Sequence, residues 1–144
     1  MTILALILVI GIAWHNAPPP ALSTPQELAE WSECDPAQIA HWIGGKVRYI
    51  EQGRWDPAEL VMARQAGDCK GASAVAVAAL SRCAGYDARI AVLNPASGQG
   101  RAHAVALYTD HRGRRGVVDS GNQRDYAPGT DWWEVVGEKW RIKP

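Results

Sequence analysis

The segment from Cys69 to Ala84 constrains the fold more than any other part of the sequence. Its interior, GASAVAVAALSRCA, is rich in alanine and leucine, which favour a helix, and Gly85 follows as a predicted left-handed helix end. Small side chains allow another part of the backbone to approach closely. We therefore predict a central buried helix around which the rest of the domain packs.

Three shorter helices are predicted before this segment, and strands are predicted after it. The helices begin at residues that can cap them, and they run from Thr24, from Asp35 to about Ile43, and from Asp56 to Ala66. Gly44-Gly45 either ends the second helix or is crossed by it. The strands cover residues 88–93, 102–108 and 116–119, with further strands expected at Tyr126, residues 132–136 and Trp140. Helices followed by an antiparallel sheet predict an α+β fold.

Length and composition limit the classes of protein to consider. A chain of 144 residues suits one domain that needs no disulfide or metal to fold. With 47% hydrophobic and 21% charged residues, it has the composition of a globular protein. Fifteen Lys and Arg balance fifteen Asp and Glu, which argues against a nucleic-acid partner, since such proteins need excess positive charge.

The N-terminus predicts export or membrane attachment. Ile3–Trp14 is an uncharged apolar run, shorter than the roughly 20 residues of a spanning helix and typical of a secretion signal. Pro18–Pro20 follow as a stiff spacer. We therefore expect residues 1–22 to be a signal or anchor segment and residues 23–144 to be the domain. A periplasmic or envelope location follows; a buried N-terminal helix, with a cytoplasmic or virion-associated protein, is the alternative.

Cys69 stands where a cysteine becomes reactive. It lies in Gly67-Asp68-Cys69-Lys70-Gly71, at the start of the central helix. Unpaired backbone N–H groups and the helix dipole favour a thiolate there, and Lys70 adds a nearby positive charge. We expect Cys69 to be a nucleophile and Asp68 to cap the helix through its carboxylate.

His103 and Asp119 complete the constellation. His103 lies in the apolar strand AHAVAL, and Asp119 ends the strand GVVD, with a polar turn between them that predicts a hairpin. A three-residue loop, His111 to Gly113, with Gly113 left-handed, places Asp119 diagonal to His103 on the same face of the sheet. A two-residue loop, Arg112-Gly113, separates them.

These residues resemble a known family. GDCKGASAVAVAALSRCAGYDARIAVL, followed by HAVAL and VVDS, is similar to the transglutaminase-like superfamily of papain-related cysteine enzymes, and in particular to its bacterial and phage-encoded cysteine peptidases. The resemblance covers about residues 46–140. It implies a papain-like α+β fold with a Cys-bearing helix on an antiparallel sheet. It also implies a catalytic triad of Cys69, His103 and Asp119. Val105 and Ser120-Gly121 depart from the family's usual HAW motif and from the Pro or Thr after its aspartate.

The expected activity is thiol-dependent cleavage of a peptide or amide bond in a peptide or protein substrate, without a cofactor. Two alternatives stay open: transfer of the acyl group to an amine, as in a protein cross-linker, and a catalytically silent structural or binding module. The backbone N–H of Cys69 is the expected first oxyanion donor, and Gln65 or Trp55 the second. Nothing in the sequence predicts the oligomeric state.

The remaining cysteines, histidines and tryptophans have plainer expected roles. Cys34 and Cys83 are structural residues that, in an exported domain, could form a bridge and leave Cys69 free. No cysteine pair has zinc-ligand spacing, so no metal is expected. His111 fits a solvated turn, and His41 lies beside Trp42 on an ordinary amphipathic helix. The C-terminal tryptophans either wall a substrate groove or belong to the core; they are Trp132, Trp133 and Trp140.

Overall fold

The computed structural model describes residues 18–137 and 139–142. The helices are α1 (Pro25–Trp31), α2 (Pro36–Lys46), α3 (Ala58–Arg64), α4 (Cys69–Leu80) and α5 (Trp132–Val136). The strands are β1 (Arg48–Tyr49), β2 (Ala66–Gly67), β3 (Asp87–Pro95), β4 (His103–Thr109), β5 (Arg115–Asp119), β6 (Asn122–Tyr126) and β7 (Trp140–Ile142). The predicted signal or anchor run, Ile3–Trp14, lies outside the described residues.

The strands form one main sheet, which confirms the predicted α+β class. Its order is β6-β5-β4-β3-β7, and every neighbouring pair is antiparallel. The short strands β1 and β2 pair in parallel beside it, with α3 in the connection between them. Within residues 18–137 and 139–142, no helix has the length and apolar character needed to cross a bilayer.

Helix α4 is the predicted central buried helix. Val75, Ala76 and Ala79 are fully buried, and they share a core with Ala106 and Val118 of the sheet. Alanines on both sides bring helix and sheet backbones close together, as the small residues predicted. The helix ends at Leu80, with Ser81 as its C-cap, and so does not reach Ala84. Gly85 is left-handed (φ 80°) but lies in the turn that follows the helix.

That turn carries one half of a disulfide bond. Cys83 is bonded to Cys34, which lies between α1 and α2 in a left-handed conformation with φ 58°. The bridge joins residues 49 positions apart in the sequence and fastens the first two helices to the end of α4. Cys69, at the other end of the same helix, keeps a free thiol.

The second face of the sheet is covered by α5, where the sequence analysis predicted a strand. Asp131 caps the segment by accepting a hydrogen bond from the N–H of Trp133. Val135 is buried against Val105 and Leu107, and Trp132 packs beside it. The prediction was wrong because β-branched and aromatic residues favour strands locally, whereas here a helical spacing places them on an apolar sheet face.

Helix α2 continues through both glycines and meets the end of the sheet. Gly44 lies so close to Gly121, in the turn between β5 and β6, that a Cβ on either residue would stand 3.0–3.1 Å from the Cα of the other. The buried Trp42 donates its indole N–H to the carbonyl of Pro20 at 2.8 Å. The contacts of the domain therefore reach back into the proline segment.

Candidate active site

Cys69 is the first residue of α4, and Asp68 is its N-cap. The Asp68 Oδ1 accepts hydrogen bonds from the N–H groups of Lys70 (3.0 Å) and Gly71 (3.3 Å). This confirms the predicted capping role of Asp68. The Cys69 side chain is half-buried, beside the positive end of the helix dipole, which favours a negatively charged sulfur.

Asp68 also fastens the segment that leads from β1 towards α3. Its Oδ2 accepts hydrogen bonds from the N–H of Gln52 (3.0 Å) and from Lys70 Nζ (2.6 Å), and Lys70 Nζ donates in addition to the carbonyl of Gln52 (3.0 Å). Burial alone would raise the pKa of Asp68, but these hydrogen bonds and that from Gly71 outweigh it and lower the pKa. The hydrogen bond to Asp68 raises the pKa of Lys70. The start of α4 therefore holds a partly buried, hydrogen-bonded ion pair.

His103 and Asp119 lie at the same end of the main sheet and are hydrogen-bonded. His103 begins β4, Asp119 ends β5, and His103 Nε2 is 2.7 Å from Asp119 Oδ1. Thr109 pairs with Arg115 across the hairpin, and Gly113 is left-handed with φ 78°. Of the two loop lengths that the sequence left open, the structure has the three-residue one, which places His103 and Asp119 on the same face of the sheet.

The hairpin loop is held by a buried aspartate. Asp110 Oδ1 accepts hydrogen bonds from the N–H groups of Arg112 and Arg114, both at 2.9 Å, and Oδ2 accepts one from the Arg114 guanidinium at 2.9 Å. Burial would raise the pKa of Asp110, but the Arg114 backbone and side chain, with the Arg112 N–H, lower it. These bonds hold the three-residue loop in its conformation, and the loop fixes the register that aligns His103 and Asp119.

Trp140 covers one side of the His103 ring. Their ring centroids are 5.4 Å apart and their planes meet at 33°. The His103 side chain is 24% exposed and that of Asp119 is 44% exposed. Nδ1 of His103 has no hydrogen-bond partner among residues 18–137 and 139–142, so this nitrogen can receive a proton when Nε2–H is donated to Asp119.

The start of α4 and the end of β5 border one small cleft. Its lining includes Asp68 and Ala72 on one side and Ser120 and Gly121, which follow Asp119, on the other; Tyr49 also lines it. Cys69 therefore lies at the same end of the molecule as the His103–Asp119 pair. In the described part of the chain, no hydrogen bond joins the Cys69 thiol to the His103 ring.

Neither of the two predicted second oxyanion donors is among the residues that line this cleft. Gln65 is the C-cap of α3, in a left-handed conformation (φ 52°), and its carbonyl accepts the N–H of Arg48 at 2.9 Å. It lines a neighbouring cleft, with Gly44 to Arg48 and Arg64. The side chain of Trp55 is 51% exposed in the segment before α3.

Among the described residues, no group of three or more His, Cys, Asp or Glu side chains could hold a metal ion.

The three C-terminal tryptophans differ in their surroundings. Trp132 lies beneath the guanidinium groups of Arg115 (4.8 Å) and Arg89 (5.9 Å), and Trp133 is exposed. Only Trp140 of the three contacts a predicted site residue.

Tyr49, which lines the small cleft, was not predicted from the sequence. It pairs with Gly67, two residues before Cys69, through a parallel strand contact that no local sequence pattern indicates.

Comparison with known proteins agrees with the resemblance seen in the motifs. No curated protein matches the sequence. The sequence model of the transglutaminase-like superfamily, however, matches residues 22–133, a range that contains Cys69, His103 and Asp119. The match covers more than half of the chain, and the protein belongs to the transglutaminase-like superfamily.

Proposed function

We propose that this protein is a thiol-dependent hydrolase that cleaves a peptide or amide bond through an acyl-enzyme. The observation that carries the proposal is the hydrogen bond between His103 Nε2 and Asp119 Oδ1, in a superfamily member whose free thiol begins the central helix. That bond orients the imidazole and leaves Nδ1 as the proton acceptor. Nucleophilic catalysis requires an oriented base within reach of the cysteine, and Cys69 lies at the same end of the molecule as His103.

The proposed reaction has two steps. In the first, His103 Nδ1 takes the thiol proton of Cys69, the sulfur attacks the carbonyl carbon, and His103 returns the proton to the nitrogen as the C–N bond breaks. In the second, His103 takes a proton from water, the hydroxide attacks the thioester, and the sulfur leaves and is reprotonated. Asp119 stabilises the imidazolium that forms in each step. An amine in place of water gives acyl transfer, and the product identifies the acceptor.

The tetrahedral intermediate needs a hydrogen-bond donor for its negative oxygen. The N–H groups of Lys70 and Gly71 already donate to Asp68. The N–H of Cys69, at the first position of the helix, has no such acceptor among the described hydrogen bonds. We assign it the role of oxyanion donor; removing such a donor typically slows a reaction about 10²- to 10³-fold.

The disulfide supports a proposal about location. Disulfides persist in oxidising compartments and are rare in the cytosol. The Cys34–Cys83 bond, together with the apolar run Ile3–Trp14, favours a protein exported to the cell envelope.

Alkylation with iodoacetamide tests the proposed nucleophile. At pH 6 and without reductant, we expect Cys69 to be carboxamidomethylated at least about tenfold faster than glutathione, because the N-terminus of α4 and His103 both favour a negatively charged sulfur. Peptide mapping by mass spectrometry identifies the alkylated residue. His103→Ala should slow the reaction, while the matched control His111→Ala, at the exposed hairpin loop, should not. A Cys69 that reacts no faster than glutathione, unaffected by His103→Ala, overturns the proposal.

A further inference from the structure

A second cleft opens beside His103, separate from the one that Asp68 borders. It has a volume of about 420 Å³ and is lined by the loop from Pro95 to Arg101 and by Lys139 and Trp140. Trp140 is the residue whose ring lies against His103. A cleft of this size falls within the range of sites that bind small ligands or a few residues of a peptide.

The walls of this cleft combine an apolar surface with positive charge. Trp140 and Pro95 supply apolar surface, and Arg101 and Lys139 supply two cations. The Lys139 ammonium lies 5.4 Å from the centroid of the Trp140 ring, which keeps it at the edge of that wall. Arg101 forms an ion pair with Glu51, a residue of the segment fastened by Asp68. Arg101 therefore already pairs with a carboxylate, and both side chains are exposed.

The position of the cleft identifies the part of the substrate that would enter it. In the proposed reaction His103 gives a proton to the departing amine, so the amine side of the scissile bond must lie next to the His103 ring. The cleft lies between Trp140, whose ring packs against that of His103, and the loop that precedes β4. It therefore accommodates residues that follow the scissile bond. This assignment rests on the proposed function.

We propose that the cleft between Trp140 and the Pro95–Arg101 loop binds a carboxylate carried by the leaving-group side of the peptide, through Arg101 and Lys139. A neutral or basic residue gains only the apolar contact with Trp140 and Pro95. The carboxylate has two sources, an acidic side chain or a free C-terminus. Both present the same group to the cations, and matched peptides distinguish them.

Binding to the full chain with Cys69→Ala tests the proposal without requiring turnover. Three tripeptides that mimic leaving groups serve as probes: Glu-Ala-Ala amide, Gln-Ala-Ala amide, and Gln-Ala-Ala with a free C-terminus. The indole N–H signal of Trp140 in a ¹H–¹⁵N spectrum, assigned with Trp140→Phe, reports occupancy. We expect the two carboxylate peptides, or one of them, to bind about threefold to tenfold tighter than the neutral amide, a preference that 0.5 M salt should reduce.

Charge variants should change carboxylate binding in opposite directions, depending on whether they remove a cation or the competing Glu51 carboxylate. Arg101→Gln and Lys139→Gln should each remove most of the preference for a carboxylate, whereas Arg112→Gln, at the exposed hairpin loop, should leave it unchanged. Glu51→Gln should strengthen carboxylate binding, because it removes the group that competes for Arg101. Equal binding of all three peptides, or a preference that survives both Arg101→Gln and Lys139→Gln, overturns the proposal. If the peptides bind as expected but Cys69 is not alkylated faster than glutathione, the hydrolase assignment fails and the carboxylate site stands.

Discussion

At the scale of single residues, Lys70 does more than its position in the sequence suggested. Its place after Cys69 predicted a cation that favours the thiolate. In the structure its ammonium is 2.6 Å from Asp68 Oδ2 and also donates to the carbonyl of Gln52. Lys70 therefore neutralises the carboxylate that would otherwise oppose a negative sulfur next to it. Under the proposed function, activation of Cys69 draws on the helix N-terminus, on His103 and on the Lys70 ammonium, which still interacts electrostatically with Cys69.

Asp119 is the residue whose chemistry can be changed with the least change in shape. Asp119→Asn keeps the size of the side chain but no longer supplies the negative charge that stabilises a protonated His103. We expect hydrolysis of a peptide substrate by this variant to fall by about 10²- to 10⁴-fold in kcat, as when a triad aspartate is replaced by asparagine. Asp87→Asn, an exposed change at the start of β3, serves as the control and should keep wild-type kcat. Equal kcat in both variants would contradict the assigned role.

The site residues were predictable to different degrees. Cys69, His103 and Asp119 stand out because a polar or reactive group in a helix start or an apolar strand needs an explanation. Trp140 did not stand out as a neighbour of His103, because it lies 37 positions later and reaches the ring only through the pairing of β7 with β3. Contacts made by the far edge of a sheet leave no local pattern in the sequence.

At the scale of elements, the β4–β5 hairpin decides whether His103 and Asp119 meet. Side chains alternate between the faces of a sheet, so a change of one residue in the loop moves Asp119 to the other face. The residues of the turn favour a three-residue loop, since Asp110 and a left-handed Gly113 are typical of such a connection. The sequence therefore limited the register to two possibilities, and the observed pairing decides between them. The helical state of Trp132–Val136 could not be predicted, because that segment adopts it by packing on the sheet.

Deletion of Arg112 tests this dependence. The shortened loop should shift the pairing of β5 against β4 by one residue, break the His103–Asp119 hydrogen bond, and reduce peptide hydrolysis to the level of His103→Ala. Gly113→Asn keeps the loop length and a residue that tolerates the left-handed conformation, so its activity should stay near wild type. Circular dichroism establishes that both variants fold. A folded deletion variant with wild-type hydrolysis would show that the register does not control the site.

At the scale of the whole molecule, the free thiol of Cys69 and the Cys34–Cys83 disulfide lie at opposite ends of α4. The helix has 12 residues, so about 18 Å separates the free thiol at its start from the disulfide just beyond its end. Sequence position alone suggested this division, because Cys69 followed a helix-start motif and Cys83 lay at the predicted helix end. The pairing of Cys83 with Cys34 depends on how α1 and α2 pack against α4, which the sequence left open.

Removal of the disulfide should lower stability and leave the thiol reactive. A bridge that closes a loop of this length (sequence separation 49) contributes about 4 kcal/mol in the chain-entropy account. We therefore expect the double variant Cys34→Ala/Cys83→Ala to unfold at a clearly lower urea concentration than the wild type. Cys69→Ala, measured in the same way, should unfold close to the wild-type midpoint. An unchanged midpoint in the double variant would mean that the bridge does not constrain the unfolded chain.

The contact between Gly44 and Gly121 leaves no room for α2 and the β5–β6 turn to move closer together. Side chains between packed elements can change rotamer and absorb small displacements, but here two stretches of backbone touch with no side chain between them. A displacement of α2 towards this contact would therefore displace the turn that follows Asp119 as well. The position of the Asp119 carboxylate therefore depends on α2, a helix that carries none of the proposed catalytic groups.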